Sequence, residues 1–159
     1  MWAVADATER TECRRGEPHG LGVNLTLVSG IVPVVDYLVL DDPPHLVGRQ
    51  CEQCSAIFVE RHNGCGRCGA RRFSTIRLAD TGVLSSFTIV YRGARDGRPF
   101  ASGVVELDGG GAVKANLVGV EPDPDRIVLG GRVRLVTFPV ATDTEGTQAV
   151  AFGFAPLSS

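Results

Sequence analysis

Two Cys-x-x-Cys pairs, Cys51 with Cys54 and Cys65 with Cys68, lie ten residues apart in this chain. Two intervening residues let one tight turn aim both sulfurs at a single point. A ten-residue connector is long enough for a hairpin that brings the second pair back to the first. Gly64, Gly66 and Gly69 flank the second pair, and glycine relieves the positive-φ strain of such turns. Four converging thiolates are the tetrahedral set that Zn²⁺ takes in a structural site, with no coordination position left open for catalysis. A rubredoxin-type iron site uses the same ligands, so iron stays open at this point. Disulfides would suit a small secreted domain, but residues 1–20 are polar and carry Arg10, Arg14 and Arg15, unlike a secretory leader. A thioredoxin-like site needs one such pair in a βαβ setting, and this chain has two. The spacing predicts a structural zinc ribbon over residues 49–77, with Cys51, Cys54, Cys65 and Cys68 as ligands. His62 reads as a loop residue and Cys13 as an incidental thiol.

The remainder of the chain must supply a core of its own. At 159 residues and 43% hydrophobic content it is long enough for one ordinary domain beside the metal-stapled one. A formal charge of -2 argues against a nucleic-acid binder held by backbone electrostatics. Arg, Asp, Gly or Pro interrupts every apolar run before it reaches the roughly 18 residues of a membrane span. A thiolate site suits a reducing cytoplasm, so a cytoplasmic location is expected.

In chain order, residues 1–22 mix charge with glycine and have no period, which predicts a disordered leader. Residues 23–48 are rich in Val, Leu and Ile and read as an extended docking segment, turned by Asp41, Asp42, Pro43 and Pro44 before a strand enters the first knuckle. Residues 78–157 alternate as an antiparallel β domain, with strands near 83–91, 99–107, 112–120, 132–140 and 148–154. Asp108, Gly109, Gly110 and Gly111 mark a hairpin. Residues 121–126 connect strands three and four, through one helical turn at most. Five strands in about eighty residues match a small Greek-key barrel of OB type. The fold class is therefore mainly β, a rubredoxin-like zinc ribbon followed by a five-stranded OB-fold barrel.

The ribbon is locally basic. Arg49, Arg61, Arg67, Arg71, Arg72 and Arg77 stand against Glu52 and Glu60. Such a face is either plain solvated surface or a docking surface for a phosphorylated ligand or acidic partner.

A ribbon feeding a strand with the pattern Gly82-x-Leu84-x-Ser86-Phe87-Thr88 resembles the zinc-ribbon/OB-fold family linked to acyl-CoA metabolism, formerly a domain of unknown function. The likeness continues through Val104-Val-Glu-Leu107 and Leu129-Gly-Gly-Arg-Val-Arg134 to Ala151-Phe-Gly-Phe-Ala-Pro156. Ser55 stands where many relatives carry glycine, and their amphipathic N-terminal helix is not evident here. The resemblance implies a non-catalytic accessory subunit of a thiolase-like enzyme that performs acyl transfer, thiolysis or retro-aldol cleavage. It further implies a hetero-oligomer, two plus two if the partner is a dimer, and a CoA thioester as a ligand shared with the partner. Arginines at phosphates are the natural grip for such a ligand, so Arg71, Arg72, Arg92, Arg95, Arg98, Lys114 and Asn116 are the candidate CoA-binding positions.

Independent catalysis finds little support in the residues. The chain has no Gly-x-Ser-x-Gly elbow, phosphate-binding loop or His-Glu-x-x-His, and its histidines are His19, His45 and His62 alone. The alternative function is a single-stranded nucleic-acid module, since ribbons and OB folds both bind single strands. That site needs aromatics interleaved with basic residues on strands two and three. Phe100 and Lys114 are the only such residues nearby, and residues 99–159 carry seven acids against four bases. Nucleic acid is therefore not an expected partner. A self-associating β module without a ligand is the blandest remaining option.

Overall fold

A computed structural model describes residues 30–91 and 97–157 of the chain. The expected leader, Cys13, His19, the first seven residues of the 23–48 segment, and Arg92 and Arg95 lie outside the described residues. All regular structure among the described residues is strand. No helix there is long and apolar enough to cross a membrane.

Among the described residues, ten strands form two sheets. Those before the barrel are β1 (Ile31–Pro33), β2 (Leu38–Val39), β3 (His45–Cys51), β4 (Ile57–Phe58) and β5 (Phe73–Arg77). The barrel strands are β6 (Thr81–Val90), β7 (Phe100–Leu107), β8 (Ala112–Leu117), β9 (Arg132–Thr142) and β10 (Gln148–Pro156). Antiparallel pairing links β6 to β7 and β7 to β8, and β8 runs parallel to β10. Strand β10 then pairs antiparallel with β9, which returns to β6 and closes the ring. This is the OB order expected from the sequence, and closure leaves no barrel edge open.

The alternation that predicted these strands is also what fills the barrel. On β8, Val113, Ala115 and Leu117 face inward, while Ala112, Lys114 and Asn116 face out. Strand β6 bends where Ser85 is inserted between two register pairs, Leu84 with Val105 and Ser86 with Val104. A bulge of this kind sharpens the local twist and helps a long strand wrap a small barrel. The Ser85 hydroxyl donates to the Val104 carbonyl at 3.1 Å. Opposite the bend, a Cβ on Gly103 would lie 2.6 Å from the Leu84 side chain and 2.8 Å from the Ser86 carbonyl. Gly103→Val is thus expected to destabilise the barrel by about 2–3 kcal/mol through overpacking, measured by urea unfolding. An unchanged midpoint would mean that the close approach is not a constraint.

Three segments meet at a clamp on the barrel rim. Arg132 on β9 donates both terminal nitrogens to Asp108 at 2.7 Å, and the Thr81 hydroxyl on β6 donates to the same carboxylate at 2.5 Å. These bonds hold the Asp108 carboxyl down at about 2, below its ordinary 3.8. A depressed carboxylate contributes stability that is present above its unfolded pKa and is lost as pH falls through the folded one. Stability is accordingly expected to decline between about pH 4 and pH 2 more steeply in the native chain than in Asp108→Asn. Melting temperatures measured across that window check it, and parallel slopes would contradict it.

In the second sheet β3 is central, pairing with β2, β4 and β5. Leu38, Leu46, Val59 and Leu78 belong to the same buried cluster as Val105, Leu117, Val133 and Phe154. Ribbon and barrel therefore share one core. From residue 30 onward, the extended segment is built into this fold and is not an exposed apolar strand. Strand β1 runs parallel to β10, Leu38 is 2% exposed, and Tyr37 and Leu40 pack against the core. Of the segment's described large hydrophobic residues, Ile31 and Val34 stay substantially open, at 39% and 46%. The connection over residues 121–126, read as one helical turn at most, holds no helix. Asp123 accepts the Asp125 amide at 2.9 Å instead, and Pro122 and Pro124 lack the amides a helical turn would use.

Candidate metal centre and adjoining clefts

The two knuckles are built alike. The Ser55 amide donates to the Cys51 carbonyl at 2.9 Å, and the Gly69 amide donates to the Cys65 carbonyl at 2.8 Å. Both residues are left-handed, with φ of 58° at Ser55 and 76° at Gly69. Glycine suits that geometry, and a side chain there costs about 1 kcal/mol. Ser55 thus adopts at the first knuckle the turn that Gly69 makes at the second.

The four sulfurs lie within 4.8 Å of one another. Across the knuckles, Cys51 and Cys68 are 3.6 Å apart, and Cys54 and Cys65 are 3.5 Å apart. A tetrahedral zinc–thiolate site with Zn–S of about 2.3 Å requires sulfurs about 3.8 Å apart, so the residues fit the ion. Cys51 and Cys65 are buried, whereas Cys68 is exposed. The Arg67 amide points at the Cys65 sulfur from 3.4 Å. Burial disfavours the Cys65 thiolate, but the amides of Arg67 and Cys68 and the neighbouring sulfurs outweigh it and bring the group down to about 6. At Cys68 the Ala70 amide favours ionisation, yet desolvation beside the cluster and the other three sulfurs push the thiol up to about 12. Four thiolates this close need a cation to coexist. His62 is not in the sulfur cluster. Its Nδ1 donates to the Glu60 carbonyl at 2.9 Å, and its ring packs on Phe58 with centroids 4.9 Å apart.

Two clefts adjoin the ribbon. The first, of about 350 Å³, gathers Arg49, Arg61, Arg71 and Arg72 around Glu52, His62 and Phe73. The second, of about 330 Å³, lies between ribbon and barrel, where Tyr37, Ile57 and Phe58 face Lys114, and His62 borders both clefts. Burial, helped by Glu60 and Asp36, holds the Tyr37 phenol above its ordinary range. Of the candidate CoA positions, Arg71 and Arg72 thus share one cleft and Lys114 lines the next. Asn116 lies two residues along the same outer face of β8. Arg98 is exposed just before β7 and borders neither cleft. Arg49 and Arg61, named in the basic face of the ribbon but not among the candidate CoA positions, join the first cleft. Their only signal was the excess of arginine across residues 49–77.

The family model of the ChsH2 C-terminal OB-fold domain matches residues 75–138. A DUF35 domain-containing scaffold protein of Methanothermobacter thermautotrophicus is 26% identical over 117 residues, 70% of this chain and 86% of the relative. Its counterpart in Pyrococcus furiosus is 29% identical over 116 residues, 70% of this chain and 83% of that one. Among solved structures, a chain of the Ltp2-ChsH2(DUF35) aldolase superposes with a TM-score of 0.53 at 27% identity, covering 70% of this chain and 84% of the other. The chain is thus similar to DUF35 proteins over 70% of its length. The matched span begins within β5, after the four-cysteine cluster, and ends within β9.

Proposed function

We propose that this chain is a non-catalytic accessory subunit of a thiolase-like enzyme acting on acyl-CoA substrates. The observation that carries the reading is its likeness, over 70% of its length, to a chain of the Ltp2-ChsH2(DUF35) aldolase. The scaffold designation of both curated relatives supports the same role. In this reading the partner supplies the catalytic groups, while the zinc ribbon and barrel stabilise it and help position the CoA thioester. The 23–48 segment docks the partner, with Ile31 and Val34 as its open apolar positions. Arg71, Arg72 and Lys114, in two clefts that meet at His62, handle the thioester's polar end and the chain that follows it. Arg98 and Asn116, outside those clefts, serve the same ligand where the partner completes the site. The assembly is a hetero-oligomer in the cytoplasm, and two copies of each subunit satisfy the symmetry of a dimeric partner.

Reconstitution tests this. Thiolase-like proteins of the host are expressed with and without the chain and assayed for CoA-thioester turnover. One of them should gain soluble yield and turnover when the chain is present. The reading fails if none responds, or if the purified chain turns over thioesters alone.

A further inference from the structure

The ribbon cleft holds more positive charge than the ribbon needs for its own fold. Arg49 lies on β3, Arg61 on the connector between the knuckles, and Arg71 and Arg72 follow the second knuckle, yet all four line one space. Glu52 is the single carboxylate there and sits 3.5 Å from Arg72. Arg49 is steadied by a hydrogen bond to the Thr75 hydroxyl at 3.1 Å. Arg61 and Arg71 have no side-chain partner among the described residues. Three uncompensated guanidiniums around one cleft repel each other, and a bound anion would turn that repulsion into attraction.

We infer that this cleft is a binding site for a diphosphate group. Guanidinium forks pair with phosphate oxygens two at a time, and a diphosphate of about three negative charges matches the uncompensated set. The wall is preorganised by an aromatic ladder: Phe73 meets Phe58 edge to face at 6.1 Å, and Phe58 meets His62 at 4.9 Å. A nucleic-acid strand would need the basic track to continue. Beyond His62 the surface changes to Tyr37, Ile57, Phe58 and Glu60, with Lys114 as the single cation. The site needs only the metal-loaded ribbon, so it does not depend on the accessory-subunit reading. Coenzyme A and a free nucleoside diphosphate are the two sources of this chemistry, and only the first rests on that reading.

The test is a titration of the full-length zinc-loaded chain at low ionic strength, followed by amide chemical shifts. Pyrophosphate, ADP and coenzyme A are the probes. Pyrophosphate should shift residues around the cleft, with affinity falling as salt is raised. Arg61→Gln combined with Arg71→Gln should weaken it about tenfold, while Arg134→Gln on the barrel leaves it within about twofold. All variants should retain one zinc, which separates lost contacts from lost fold. If coenzyme A binds more tightly than ADP, and Lys114→Ala removes the difference, coenzyme A is the source. Equal binding of the two identifies the diphosphate itself as the recognised group. The inference is overturned if millimolar pyrophosphate leaves the cleft unshifted or Arg134→Gln weakens binding as much as the double variant. It is equally overturned if hexaglutamate or a single-stranded oligonucleotide outcompetes all three probes.

Discussion

Replacing Cys51 with serine is expected to release the metal and unfold the ribbon, with damage that reaches the barrel. Cys51 is 1% exposed and ends β3, the central strand of the ribbon sheet. Structural zinc supplies on the order of 10 kcal/mol to isolated zinc-finger peptides, comparable to the whole stability of a small domain at about 5–15 kcal/mol. Without the ion, four sulfurs packed within 4.8 Å lose the cation that lets them ionise together. The hairpin between the knuckles then keeps few contacts of its own, because β4 has two residues. Leu46 on β3 and Val59 just after β4 are part of the cluster that includes Phe154. Ribbon loss therefore exposes barrel core. Chelation of the native protein and the Cys51→Ser variant should both lower the urea midpoint and broaden the transition of the whole chain. A barrel that still unfolds at the native midpoint would mean that the two parts do not share their stability.

Truncating Phe154 to alanine is the second large effect. Phe154 is 0% exposed and lies on β10, the strand that pairs with β1, β8 and β9. It is flanked in register by Leu117 on one side and Leu135 on the other. No neighbour can collapse into the space without disturbing a paired strand, so the cavity persists. Loss of a phenyl ring at such a site is expected to cost about 3–5 kcal/mol. Phe154→Leu, which retains most of the volume, should cost much less. Denaturant unfolding of both variants measures this, and a cost below about 1 kcal/mol for Phe154→Ala would remove Phe154 from the centre of the core.

The parts of this structure that were legible in the sequence are those governed by local chemistry. Cys-x-x-Cys fixes a turn by itself, so the four sulfurs could be placed together before any fold was known. Each barrel strand was visible as a run of alternating residues, and Gly109, Gly110 and Gly111 marked the turn after β7. All three have positive φ, so the glycine signal and the backbone requirement coincide. Contacts between distant segments were not visible. Leu38 and Leu46 look like ordinary strand residues, and nothing local indicates that they bury against a barrel that begins at Thr81. The same limit hid the ribbon cleft. Arg49 and Arg71 are brought together by the β3–β5 pairing, in which Arg49 stands opposite Thr75, and that register depends on long-range pairing. The Asp108 clamp was similarly hidden, because it joins three segments through side chains that read singly as turn and surface residues.

Native mass spectrometry of the chain captured gently from its own host tests the central claim most directly. The accessory-subunit account predicts an assembly holding this chain, one zinc per copy and a thiolase-like protein in equal number. Recovery of the chain by itself, or with nucleic acid that salt removes, would contradict it.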